Sequence, residues 1–173
     1  MKVLEVKAPN KCVDHTTSHP FTLFLAGSIE MGAAENWQEK FVALITERMK
    51  DVLEGWELVI YNPRRDDFDV SQEQSASNPY FAEQVNWELD NLYQSELHIF
   101  WFADDTLSPI TLYEFGKHTN DGSFRMEPLV GCGPRYKRRG NLEIIAQREY
   151  IHLYSTIEEM VEATAKLMED FVC

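Results

Sequence analysis

The sequence predicts an α/β fold: a single-domain, doubly wound, flavodoxin-like sheet of about five parallel strands with helices on both faces. Three observations predict it. Short apolar runs alternate along the chain with segments in which apolar residues recur at three-and-four spacing. The run Leu97 to Phe102, LHIFWF, is apolar without interruption, as a central strand covered on both faces must be. No internal repeat or low-complexity tract suggests another architecture. At 173 residues and 44% hydrophobic, the chain can bury one sizeable core, so a single domain is expected over 21–173, preceded by a loose arm over 1–20.

Each element has its own reason. Phe21 to Ala26 is an apolar run that stops at Gly27 and reads as the first strand. From Ala34 to Leu53, Trp37, Phe41, Leu44, Ile45, Met49 and Val52 line one helical face, which Gly55 closes. The second strand, Trp56 to Tyr61, stops at Asn62-Pro63, where proline removes a ladder donor. The polar stretch Arg64 to Asn78 is a loop of the length that often lines a site. Pro79 opens a helix whose inner face carries Phe81, Val85, Leu89 and Leu92. After the central strand, Ser108-Pro109 gives a cap and first turn. Leu129-Val130 and Tyr150 to Tyr154 supply the last strands, and Ser155-Thr-Ile-Glu158 reads as a capping box for a terminal helix to Phe171. A ligand is expected at the carboxyl ends of the strands, among Gly27-Ser28, Asn62 to Asp67, Asp104 to Glu114 and Gly131 to Arg139.

The formal net charge of −13 repels phosphate backbones and argues against a polymeric nucleic acid partner, while leaving room for a small anion held by local donors. Basic residues gather at Arg64-Arg65 and from Arg135 to Arg139, where solvated loops are the ordinary explanation. No apolar run has membrane-spanning length and the chain opens on no apolar signal stretch, so no membrane association and a cytoplasmic location are expected. Cys12, Cys132 and Cys173 are odd in number and lack metal-type spacing, which favours reduced thiols. His15 and His19 have no third ligand nearby, so no metal is expected, and Asp104-Asp105 reads as a turn.

Among residues able to do chemistry, Glu114 lies one to two turns into the helix that follows the central strand, with its side chain able to point into the crevice. A carboxylate there can attack an anomeric carbon and form a glycosyl ester; it can equally be a solvated helical glutamate. Glu88 on the preceding helix is either a second carboxylate, acting on the sugar or the leaving base, or a surface residue. Ser108 and the turn Gly27-Ser28 suit a phosphate, or in Ser108's case a plain cap. Arg64 and Arg65 either pair with Asp66, Asp67 and Asp69 or grip a ligand. Trp37, Phe81, Trp87 and Trp101 are chiefly core aromatics, with Trp87 the one placed to stack on a base.

Four motifs in order resemble the nucleoside 2-deoxyribosyltransferase-like superfamily, particularly its phage and bacterial transferase-like branch. They are Phe24-Leu-Ala-Gly-Ser-Ile-Glu30, Tyr61-Asn-Pro-Arg-Arg-Asp-Asp67, Gln84-Val-Asn-Trp-Glu-Leu89 and Ser108-Pro-Ile-Thr-Leu-Tyr-Glu-Phe-Gly116. The resemblance implies that Glu114 is the nucleophile that takes the sugar, and that Glu88, where aspartate is more usual, contacts sugar or base. It also implies a small nucleoside or nucleotide as ligand, no cofactor, and a homo-oligomer. Superfamily members acting on free nucleosides are acidic at the place of Ser108. Those that hydrolyse 2′-deoxynucleoside 5′-monophosphates carry serine there and a Gly-Ser-Ile turn, as Gly27, Ser28 and Ile29 do here. The arginine and paired glycines that follow that turn are replaced by Glu30, Met31 and Gly32, which weakens the phosphate reading. The substrate-binding set expected on this resemblance is Gly27, Ser28, Ile29, Asn62, Arg64, Arg65, Trp87 and Ser108, and the reaction expected is cleavage of an N-glycosidic bond, by an N-glycosidase or a deoxyribosyltransferase. A non-catalytic nucleotide- or sugar-nucleotide-binding module is the alternative. A flavodoxin-like electron carrier fits less well, since the first turn lacks a hydroxyl-rich loop for a flavin phosphate.

Overall fold

Strands β1 (Lys2–Lys7), β2 (Phe21–Gly27), β3 (Glu57–Asn62), β4 (Leu97–Phe102), β5 (Leu129–Cys132) and β6 (Leu153–Tyr154) form one sheet in the computed structural model. They alternate with helices α1 (Trp37–Met49), α2 (Pro79–Gln94), α3 (Pro109–Asp121), α4 (Arg139–Arg148) and α5 (Ile157–Val172), and a 3-10 turn at Glu30–Gly32 follows β2. The structure describes residues 1–11, 20–52, 54–67, 69–121 and 125–172. Cys12, His15, His19 and Cys173 lie outside them, as does Leu53; Cys132 is a buried free thiol.

All neighbouring strands pair in parallel, in the order β1-β3-β2-β4-β5-β6. Without β1 this is the flavodoxin-like order, and the sheet changes direction between β2 and β4. Alternation along each strand sends side chains to two cores. Leu23, Leu25, Leu58, Ile60 and Ile99 meet Trp37, Phe41 and Ile45 of α1 and Met160 and Val161 of α5. Phe24, Val59, Phe100 and Phe102 meet Trp87 and Leu92 of α2, Phe115 of α3 and Leu142 of α4. Each fully buried side chain of this size contributes about 1.5–3 kcal/mol, so both helical layers are held chiefly by apolar contact.

Local signals set the helix starts. The Asn36 Oδ1 atom accepts from the Glu39 backbone N–H at 3.3 Å and its Nδ2 donates to the Glu39 carboxylate, so α1 begins after Asn36 rather than at Ala34. Asn78 accepts from the Tyr80 N–H and Pro79 opens α2 as expected. The capping box of α5 is one residue later than predicted. Thr156 Oγ1 accepts from Glu159 N–H, and the Glu159 carboxylate accepts from the N–H groups of Ser155 and Thr156.

The reading of residues 1–20 as a loose arm needs correcting for Lys2–Lys7, which pairs along the whole of β3 from Lys2 opposite Glu57 to Lys7 opposite Asn62. Its side chains are mostly half-exposed and only Val6 is buried, the pattern of an edge strand, so the apolar signal is thin. The last strand is shorter than expected: Tyr150 is exposed at a positive φ of 58° and only Leu153–Tyr154 pairs, with β5. The Gly131 to Arg139 segment also runs directly into α4, which the sequence pattern does not announce.

Gly27 marks a close approach of β2 to its neighbours. A Cβ there would lie 2.4 Å from Trp37 Cζ2 and 2.6 Å from the Trp101 carbonyl oxygen, and that oxygen already accepts from the Ser28 N–H at 3.1 Å. Gly27→Ala should destabilise the chain by roughly 1–3 kcal/mol, read as a lower urea midpoint at unchanged slope; an unchanged midpoint would show that β2 and α1 can separate freely.

Candidate active site

The chain leaves β2 for α1 on one face of the sheet and leaves β4 for α3 on the other, which opens a crevice at the carboxyl ends of these two neighbouring strands. Glu114 enters it from α3 and is only 8% exposed. Glu88 enters from α2, half-buried, one turn after Gln84. The Gln84 Nε2 donates to Glu88 Oε1 at 2.6 Å and to the Pro63 carbonyl at 2.8 Å, which fixes the amide orientation. That leaves its buried Oε1 without a partner among the described residues.

Burial and charge act together on the two carboxyls. Desolvation, with the Glu88 charge adding to it, pushes Glu114 up to about 8. Desolvation pushes Glu88 up to about 7, against the lowering effect of the Gln84 amide. Two coupled carboxyls that both titrate near neutrality titrate as a pair, and such a pair holds an acid and a carboxylate in one site at neutral pH.

The floor of the crevice is a knot of three buried hydroxyls. Ser28 Oγ contacts Ser108 Oγ and Thr106 Oγ1, the latter at 3.1 Å, and Thr106 Oγ1 lies 2.8 Å from Ser108 Oγ. Thr106 donates to the Ala103 carbonyl, and the Ala103 N–H donates to Ser28. Ser108 therefore does more than cap a helix: it has a positive φ of 48° and joins the β2 turn to the α3 start. Glu30 closes the same corner, its Oε1 accepting from the N–H groups of Leu107 at 3.1 Å and Ser108 at 2.9 Å. Tyr136, from the segment after β5, donates its hydroxyl to the Leu107 carbonyl at 3.2 Å, and burial pushes its phenol up to about 12.

The other expected site residues are placed unevenly. Gly27 and Ile29 flank Ser28, with the Ile29 carbonyl accepting from Gly32 and Ala34 N–H groups. Asn62 is buried; it donates to Glu5 and accepts from the Arg64 N–H. The Arg64 guanidinium donates to the carbonyls of Gly32, Ala34 and Glu35, and burial lowers its pKa. Arg65 pairs in bidentate fashion with Asp67 and stacks over Tyr80 at 4.3 Å. Trp87 belongs to the core: it meets Tyr61 edge-on, and its indole donates to the Asn10 carbonyl. Arg135 holds Asp104 and Asp105, and no group of three or more metal-ligating side chains exists among the described residues.

Comparison with family models matches residues 20–136 to the family described as nucleoside 2-deoxyribosyltransferase like. The chain belongs to the nucleoside 2-deoxyribosyltransferase-like family. Comparison with curated proteins returns no match. The family match runs from β2 to Tyr136 and so contains Glu114, Glu88 and the whole hydroxyl knot, while β1, α4 and α5 fall outside it. Membership implies an enzyme of the nucleoside deoxyribosyltransferase type, acting on small-molecule nucleosides by glycosyl transfer or a related reaction. No helix among the described residues is long and apolar enough to cross a membrane.

Four residues of the site escaped the sequence pattern in whole or in part. Thr106 and Tyr136 were expected only as unnamed members of the segments Asp104 to Glu114 and Gly131 to Arg139, Gln84 appeared only as part of a motif, and Glu30 appeared only as a departure from one.

The raised carboxyl sets a sign for stability. Between pH 4.5 and about 8 the folded state retains on Glu114 a proton that the unfolded state releases, so this group's contribution falls as pH rises through that window. Glu114→Gln should therefore match wild type near pH 4 and exceed it by on the order of 1–3 kcal/mol above pH 8. Urea unfolding at the two pH values measures the difference, and an equal effect at both would contradict a desolvated carboxyl.

Proposed function

We propose that this chain cleaves the N-glycosidic bond of a nucleoside or nucleoside 5′-monophosphate through a covalent glycosyl ester on Glu114. The observation that carries the reading is the buried Glu114 carboxyl at the crevice between β2 and β4, coupled to the Glu88 carboxyl. Glu114, pushed further up than Glu88, holds the pair's proton at rest, so the reactive form is the one in which that proton has passed to Glu88; from it the Glu114 carboxylate attacks C1′: a C1′–O bond forms, the C1′–N bond breaks, and its electron pair leaves with the base. Glu88 in its acid form gives its proton to that base. Water or a second base then attacks C1′, the ester C1′–O bond breaks, Glu114 regains its charge, and Glu88 takes back the proton released. The carboxylate carries the covalent step, so the scheme assigns no step to a metal or organic cofactor.

Desolvation serves this chemistry. A buried carboxylate is poorly solvated and is the favourable partner for the positive charge that develops at C1′, so its interaction strengthens in the transition state. The Gln84 amide orients Glu88 and leaves its own Oε1 to accept from a donor on the base.

The test is chromatographic assay of free base from nucleosides and their 5′-monophosphates. Glu114→Ala should lose at least about 10³-fold in rate, and full retention would overturn the assignment. Glu88→Gln should lose about 10²–10⁴-fold and, by removing a like charge, lower the Glu114 pKa, so the acid limb of kcat/KM moves to lower pH. An acid limb that stays in place would remove Glu88 from the pair. Leu89 and Tyr93 of α2 and Ile110 and Tyr113 of α3 are exposed apolar side chains, which we read as the contact of a homo-oligomer in the cytoplasm. Light scattering should show more than one subunit; a monomer would contradict it.

A further inference from the structure

We propose that Glu30 is a charge gate that makes the site take a free 5′-hydroxyl and reject a 5′-phosphate; the proposal rests on the nucleoside reading above and names its substrate class. The start of α3 is where backbone donors and the positive end of a helix dipole meet the crevice, the usual attraction for an anionic ligand group. Here that position is filled from within, because Glu30 Oε1 accepts from both Leu107 N–H and Ser108 N–H. A phosphate at the same place would displace the carboxylate or lie against its charge.

Among the described residues the hydroxyls of the knot, Arg64 and Arg135 are already engaged, and Arg138, which acts on Tyr136 together with Glu30, is the cation left at this corner. The hydroxyls of Ser28, Thr106 and Ser108 are engaged with one another, and Thr106 also donates to the Ala103 carbonyl. Arg64 is engaged by three backbone carbonyls of the segment after Glu30, and Arg135 by Asp104 and Asp105. The gate is also held in place on both sides of its contact. Glu30 and Ser108 each have a φ of 48°, a left-handed conformation that a non-glycine residue keeps only where neighbouring contacts enforce it.

In this reading the far end of the sugar lies there. Ser108 precedes Glu114 by six residues, about 9 Å along the helix axis. With C1′ at Glu114 and the base towards Glu88 on α2, the 5′ arm extends towards the start of α3. The Glu30 Oε2 atom has no partner among the described residues and can accept from a 5′-hydroxyl.

Two measurements test the gate separately from catalysis. Calorimetric binding of a set of nucleosides and their 5′-monophosphates to wild type should favour the nucleosides by at least about tenfold. Glu30→Gln, which keeps an acceptor for the two N–H groups but removes the charge, should narrow that preference by about tenfold or more, and Glu30→Ala further. The ratio of kcat/KM values in base release should move in parallel. Wild type that binds monophosphates as tightly as nucleosides, variants that leave the preference unmoved, or absence of binding by both classes would each overturn the proposal. Preserved binding preference with no base released would keep the gate and defeat the catalytic reading instead.

Discussion

In a parallel sheet every strand must return by a crossover, and the handedness of those crossovers fixes which face each helix covers. Here β2 and β4 are neighbours whose crossovers cover opposite faces, α1 lying against one core and α3 against the other. The chain ends that emerge between them cannot be covered by either helix layer. The candidate site is gathered at that gap: the turn after β2 brings Ser28 and Glu30, the segment after β4 brings Thr106 and Ser108, and α3 carries Glu114. The hydroxyl knot then ties the two diverging segments together, so the gap keeps a definite width.

The same gap sets the conflict between stability and reactivity. Both Glu88 and Glu114 lose much of their hydration, and the Glu88 charge makes that of Glu114 less favourable still. A sequence selected for stability alone would place an amide or an apolar residue at one of them. At the turn, by contrast, the Glu30 carboxylate accepts from two backbone N–H groups at the start of α3.

Much of this was legible in the sequence because period and punctuation are local. LHIFWF, the apolar run ending in Gly27 and the three-and-four spacing of α1 each specify an element without reference to the rest. Glu114 was legible as a carboxylate just past the central strand. What escaped depends on partners far away in the chain. Lys2–Lys7 is a strand only because β3 offers it a complete ladder some fifty-five residues later. Tyr136 reaches Leu107 across the β5 turn, and Arg64 acts on carbonyls that precede it by about thirty residues. The arginines were readable as cations, but whether their donors meet a ligand or a backbone is decided by tertiary placement.

The two ends of the sheet have a bearing on how the chain behaves in a crowded solution. A parallel sheet leaves one rim of unpaired amides and carbonyls at each side, and a long flat rim recruits further strands from other molecules. One rim is β1, which begins and ends in lysine, with Lys2 ion-paired to Glu57 and Lys7 to Asp66. The other is β6, only two residues long. A newcomer strand would meet ion-paired lysines at one border and a template only two residues long at the other, so the sheet offers little for edge-to-edge addition.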